Sequence, residues 1–398
     1  MPMKTAIYLD HAATTQLSQR ALDAMLPFLQ DNFGNPSGQY ALGRRSARAL
    51  DDARHHVAAV LGARPQEIVF TGPGSESINA AIKGVALAQQ RAGLGNHIIT
   101  TTVEHHAVLH SCEWLEQFGF EVTYVSVDEY GGVDPDHVVR AITDRTVLVS
   151  VMLANNEIGT IQPIADIGAA VRERAKSFGR LIPFHTDAVQ GANALHLDVE
   201  SLNVDLLSLS AHKFSGPKGA GILYMRRGTP YLTQMSGGGQ ERQRRAGTEN
   251  VASVAGTAVA LEDAQAGRED YTRRCRQLTT RLVDGLRRAI PDASLTGHPE
   301  MRLPNNVHFA FEGAESDVML AALDKAGLAA SAGSACNSAT WEPSHVLSAI
   351  GMPLRKAFGV LRLTVGPENT EAEIDQVISA LPAIVAESRA NPRRVSSR

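Results

Sequence analysis

The chain has few cysteines, few aromatic residues, no surplus of either charge and no long apolar run. Its three cysteines among 398 residues, Cys112, Cys275 and Cys336, are odd in number and widely spaced. That excludes a disulfide framework and a cysteine-only zinc cluster, and it suits a reducing compartment. Aromatic residues make up only 5%, but 43% of the chain is hydrophobic and 20% charged, which excludes a disordered protein. Thirty-eight Lys and Arg against 42 Asp and Glu leave a formal net charge of −4, so no bulk attraction to nucleic acid or an anionic membrane is expected. No apolar run approaches the ~18 residues of a membrane span. Met1 to Asp10 lacks the apolar stretch of a secretion signal. These absences point to a cytoplasmic globular protein of two or three domains, at ~100–200 residues each.

What is present is an alternation. From about residue 15 to 225, short apolar runs alternate with longer amphipathic stretches. The runs are Glu67–Phe70, His97–Thr101, Val122–Val125, Val147–Met152, Leu181–Phe184 and Leu206–Leu209; the stretches include Ser77–Gln90, Ala107–Phe118 and Ile164–Ser177. The pattern predicts an α/β fold with a mostly parallel sheet covered on both faces, its ligand beyond the carboxyl ends of the strands. After residue 225 a Gly/Arg-rich stretch, Ser236–Thr248, leads into an Ala-rich helix, Val251–Ala266, then a charged helix, Arg268–Ile290, and a final α/β portion. A domain boundary is placed near residue 262. The basic end, Asn391–Arg398, reads as a solvated tail.

Lys213, in Ser210-Ala211-His212-Lys213, follows one apolar run, and Asp187, in His185-Thr186-Asp187, ends an earlier one. A lysine and a carboxylate at neighbouring strand ends suit pyridoxal phosphate: the amine forms the Schiff base and the carboxylate keeps the ring nitrogen protonated. The bland alternative is a buried Asp–Lys pair that offsets its own desolvation. The stretch Thr71-Gly72-Pro73-Gly74-Ser75-Glu76-Ser77 follows a strand and opens a helix, so its free N–H groups suit a phosphate, although it is neither a dinucleotide fingerprint nor a P-loop. Cys336 has small neighbours in Gly333-Ser334-Ala335-Cys336-Asn337, the setting of an accessible thiol. Cys112 reads as buried and inert, and Cys275 as an exposed thiol on a charged helix. His55 and His56 read as solvated; of His105 and His106, one is expected to stack on a ring or relay a proton, and no metal site is expected.

Together these motifs resemble the cysteine desulfurases, the NifS/IscS-like group of the class V aminotransferase superfamily. The resemblance runs from Tyr8-Leu9-Asp10-His11 to Leu363-Thr364-Val365-Gly366 through Glu104-His105-His106, Asn155-Asn156-Glu157-Ile158-Gly159, His185-Thr186-Asp187 and the Lys213 and Cys336 motifs. It implies a fold-type-I pyridoxal-phosphate enzyme with a large domain over 15–262 and a small one formed by 1–14 and 263–398. It assigns Lys213 to the Schiff base, Asp187 to the ring nitrogen, His105 to ring stacking, and Asn156 and Gln190 to the ring substituents. Gly74, Ser75, Ser210 and His212 would hold the phosphate, and Thr248 would reach the phosphate of a neighbouring subunit in a homodimer. Asn35 and Arg362 would bind the carboxylate of L-cysteine, and Cys336 would accept its sulfur and pass it to an acceptor such as an iron–sulfur scaffold. Pro73 departs from the family's phosphate turn and removes one donor there. Three readings compete: the desulfurase; another enzyme on this scaffold, such as an aminotransferase or selenocysteine lyase; and a non-catalytic scaffold. Cys336 argues against an aminotransferase, and Lys213 with Asp187 against a decayed site.

Overall fold

The structure, a computed structural model, describes residues 6–333 and 343–390. Cys336 and the basic tail lie outside the described residues. Strand β1 (Ile7–Tyr8) belongs with the carboxyl-terminal part of the chain. The next seven, β2 (Ile68–Thr71), β3 (His97–Thr101), β4 (Glu121–Val125), β5 (Thr146–Ser150), β6 (Phe184–Asp187), β7 (Leu206–Ser210) and β8 (Gly221–Met225), form one sheet in the order β2-β8-β7-β6-β5-β3-β4. Every neighbouring pair is parallel except the two that involve β8.

Consecutive residues of these strands enter different cores. Ile98, Leu148, Leu206 and Leu223 pack with the helices Gly74–Arg91 and His106–Glu116. Ile99, Val149, Leu207 and Ile222 pack with Ala41–Val60, Ile164–Lys176 and Val251–Ala266. A strand buried on both faces is mostly apolar, which is what the sequence shows at Ile98-Ile99, Val147-Leu148-Val149 and Leu206-Leu207.

One predicted strand is shifted. The sequence places it on Leu181–Phe184, whereas β6 runs Phe184–Asp187. Pro183 has no N–H to give a ladder, and pairing with β5 begins at Phe184 opposite Val149. Leu181 is exposed, and polar His185, Thr186 and Asp187 are the residues that fill the sheet centre.

A second core gathers Ile7 and Leu9 with residues of the helices Arg268–Ala289 and Glu371–Ala390. It lies on strands β9 (Ser294–Leu295), β10 (Asn306–Ala310) and β12 (Val360–Thr364), antiparallel in the order β12-β10-β9; β11 (Leu328–Ala329) pairs with β1. The helix Val251–Ala266 stays on the first core, and the chain turns at Gly267 into the helix of the second. Cys275 is buried there at 0% exposure, not exposed as its charged neighbours suggest. It shares the apolar stripe of Leu278, Leu282 and Leu286, at helical spacing. Among the described residues no helix is long and apolar enough to cross a membrane.

Candidate active site

The sheet reverses direction of growth around β3: β4 adds on one side of it, β5, β6 and β7 on the other. Ligands bind beyond the carboxyl ends of strands at such a switch point. Those ends carry the predicted residues. β3 leads to His105, β5 to Asn156, β6 ends on Asp187, β7 on Ser210, and β2 opens into Gly74 and Ser75.

Lys213 sits in the 3-10 turn Ala211–Lys213 directly after β7, and its Nζ donates to the carbonyls of Ala12 and Ala13 at 2.7 Å each. Burial, with the Arg362 charge adding to it, pulls its pKa down to about 8 against the opposing pull of Asp10 and Asp187. Asp187 is buried, and desolvation pushes its pKa up to about 6 although its Oδ1 accepts the Val189 N–H at 3.0 Å. Among the described residues no ion pair joins Asp187 to Lys213 or to any other cation. The two groups feel each other's charge without touching: Lys213 lowers the Asp187 pKa and Asp187 raises that of Lys213, but burial outweighs both pulls. A buried carboxylate is costly, and a protonated ring nitrogen is a cation that would suit it.

His105 is the N-cap of the helix His106–Glu116, its Nδ1 accepting the Ala107 N–H at 3.0 Å. Burial and the Lys213 charge lower its pKa to about 4, so the ring is neutral at physiological pH. Gln190 Nε2 donates to the Ala12 carbonyl at 3.0 Å, the same oxygen that Lys213 holds. At the phosphate turn the Gly74 N–H donates to Ser210 Oγ at 3.2 Å, Ser75 is exposed, and His212 lies 3.1 Å from Thr14 Oγ1 through Nδ1. A Cβ on Gly74 would lie 2.9 Å from Ser210 Cβ and 3.0 Å from Val189 Cγ2, so the turn closes on the strand ends only without a side chain there. Amine, buried carboxylate, neutral ring and small donors at a helix start are the groups pyridoxal phosphate requires, and they fit it.

Arg362, on β12, is 3% exposed. Its Nη1 donates to the Asn156 carbonyl at 2.8 Å and the Gly333 carbonyl at 3.3 Å, and its Nη2 pairs with Asp10 at 2.7 Å, while Nε has no partner among the described residues. Asn35 and Thr248 lie in exposed segments; Asn35 Oδ1 accepts the Ser37 N–H at 2.9 Å in a local turn.

Sequence reasoning missed three acidic residues. Asp10 pairs with Arg362. Glu104 is fully buried, its Oε1 accepting the Thr101 hydroxyl at 2.8 Å and the Met152 N–H at 2.9 Å, and burial pushes its pKa up to about 8. Glu157, also buried, accepts the Ser344 hydroxyl at 2.6 Å. An acid inside an otherwise apolar or motif-bearing stretch was the available signal. Cys112 and Cys275 are both buried; burial raises the thiol pKa of each, that of Cys275 to about 12. No group of three or more potential metal ligands occurs among the described residues.

The aminotransferase class-V family matches residues 7–377. A curated relative from Methanosarcina thermophila, cysteine desulfurase IscS, is 50% identical over 96% of this chain and 93% of its own length. One of the same name from Dictyoglomus turgidum is 45% identical over 97% and 96%. A solved NifS-like protein superposes with a TM-score of 0.89 at 36% identity, covering 96% of this chain and all of that one.

Proposed function

The chain belongs to the aminotransferase class-V family and is a pyridoxal-phosphate-dependent cysteine desulfurase, and from that premise we propose how its own residues divide the work. Lys213 holds the cofactor through its amine, Asp187 keeps the ring nitrogen protonated, and His105 lies against the ring. Gly74, Ser75, Ser210 and His212 take the phosphate, with Thr248 of a neighbouring copy; Asn156 and Gln190 meet the ring substituents. Bound there, pyridoxal phosphate supplies an electron sink that stabilises negative charge at the substrate Cα. Arg362 takes the carboxylate of L-cysteine, for which a guanidinium fork is suited, and Asn35 assists.

Lys213, an amine with a pKa of about 8, moves the proton at Cα, and His105 is a second acceptor. The Cys336 thiolate then bonds to the substrate sulfur as the substrate C–S bond breaks. The electron pair stays with carbon, which on protonation becomes the methyl of L-alanine, and Cys336 keeps the sulfur as a persulfide. Neither remaining cysteine is placed for this, since both are buried with raised pKa.

The observation that carries this reading is the buried Asp187 carboxyl and the Lys213 amine at adjoining strand ends. Its test is Cys336→Ala. The variant is expected to bind pyridoxal phosphate as the parent does, to make little or no alanine and to carry no persulfide by mass spectrometry. Turnover of L-cysteine at the parent rate would replace the desulfurase mechanism with a lyase or aminotransferase one.

The persulfide would pass to an acceptor protein in the cytoplasm, such as an iron–sulfur scaffold. A homodimer with shared sites is supported by Leu29, Phe33 and Tyr40, large apolar side chains left exposed near Asn35, Phe33 at 73%.

A further inference from the structure

The phosphate turn contains a carboxylate of its own. Glu76, in the first turn of the helix Gly74–Arg91, folds back so that its Oε2 accepts the Gly72 N–H at 2.9 Å. That contact closes the turn, but it also places a negative charge beside the donors that would receive a phosphate dianion. Like charges at this range repel strongly in a site partly shielded from water.

Arg245 meets that charge. Its Nε donates to Glu76 Oε1 at 2.8 Å and its Nη2 to Oε2 at 3.3 Å, a two-point contact with both side chains about one-quarter exposed. The arginine arrives from the Gly/Arg-rich stretch, and the chain there is held firmly. Glu241, Arg242 and Gln243 all lie in the left-handed region, at φ 45°, 56° and 64°, a conformation that persists only when its surroundings impose it. The imposing contact is buried: Arg54 grips both Glu241 oxygens at 2.8 Å, and Glu241 Oε2 also accepts the Phe70 N–H of β2 at 3.0 Å. Arg244 Nη1 adds a bond to the Gln66 carbonyl at 2.7 Å. The segment is thus fastened to the strand that leads into the phosphate turn, with Arg245 delivered onto Glu76.

We propose that Arg245 is a positioning residue for cofactor phosphate binding: acting through Glu76, it cancels the charge of the carboxylate that closes the turn, so the turn keeps its cap and still accepts a dianion. This rests on the reading of the site as a pyridoxal-phosphate site. Without Arg245 the Gly72 cap is expected to remain, because it is a direct contact of Glu76; what would be added is an uncompensated negative charge.

The test is a double-mutant cycle on the full chain stripped of cofactor, titrated with pyridoxal 5′-phosphate and, separately, with pyridoxal, which lacks the phosphate. Arg245→Ala is expected to weaken pyridoxal 5′-phosphate binding about tenfold and to leave pyridoxal binding unchanged. Glu76→Gln, with the charge gone but an amide oxygen still able to cap Gly72, is expected to bind as well as the parent or better. Arg245→Ala with Glu76→Gln should return to within about twofold of the parent, since the charge to be cancelled has gone. Losses that simply add, or an equal loss for pyridoxal, would overturn the proposal and leave Arg245 a packing residue or a direct phosphate ligand. Should Arg245→Ala not fold, Arg245→Lys decides. It keeps the charge but not the fork, and a phosphate-specific loss beyond about threefold that Glu76→Gln does not relieve would count against the idea. A parent chain that bound no pyridoxal phosphate would instead sink the site reading itself.

Discussion

Burial and the Arg362 charge make the protonated form of Lys213 costly, which would suit it to act as a nucleophile near neutral pH. An ordinary lysine, near 10.4, would be almost wholly ammonium at pH 7. The free-amine fraction of Lys213 instead rises through about 8. Cofactor capture by the stripped chain is therefore expected to speed up as pH climbs from 7 to 9 and then level off. Stopped-flow absorbance would follow it, and a midpoint above 10 would show an unperturbed lysine. Removing the amine is the complementary test. Lys213→Ala should retain no covalent cofactor after borohydride reduction, measured by mass spectrometry; retained label would place the attachment on another lysine.

The strand end is the element that organises this chemistry, because each strand stops where its functional side chain leaves the sheet. The floor below is locked by polar contacts rather than left as a soft apolar layer. His185 on β6 lies between Ser150 Oγ at 2.8 Å and Ser208 Oγ at 3.0 Å. The Ser77 hydroxyl bonds Ser208 Oγ at 2.8 Å and the Ile222 carbonyl at 2.9 Å. Fully buried, His185 has its pKa lowered to about 3 and stays neutral, so the network carries no charge to compete with Asp187. Close packing at the turn above is equally strict. Gly74→Ala would force a methyl against Ser210 and Val189 and is expected to cost ~1–3 kcal/mol of stability, as overpacking does. Because the strained atoms line the phosphate turn, cofactor affinity should fall with the melting temperature. Unchanged values of both would mean that the turn can open without loss.

Across the whole molecule, the site closes only where the second core reaches the first. Arg362 comes from β12, and its partner Asp10 lies 352 residues away near the amino terminus. Between them Leu9 is buried in the second core, while the carbonyls of Ala12 and Ala13 hold Lys213 on the first. One short amino-terminal strap thus ties the lysine to the guanidinium. Arg362→Ala is expected to raise the KM for L-cysteine, with a loss of ~2–5 kcal/mol for a buried carboxylate contact, while the cofactor absorbance without substrate stays as in the parent. An unaltered KM would mean that another cation holds the substrate.

Much of this was readable along the chain. Doubly buried strands are mostly apolar, so the runs that became β3, β5 and β7 stood out, and Lys213 was conspicuous as a charged residue just past such a run. Local pattern failed where a distant element supplied the decisive partner. Pro183 and polar His185 masked β6, whose register is set by Val149 of β5. Cys275 among arginines looked exposed until the second core covered its face of the helix. The pairings of Arg362 with Asp10 and of Arg245 with Glu76 lie beyond any periodicity, because a side chain's burial has a period of 2 or 3.6 along the chain whereas the identity of its ionic partner has none. Sequence by itself determined the element types and which residues would crowd the strand ends; tertiary structure alone decided which charges face each other, because that depends on where the chain returns in space.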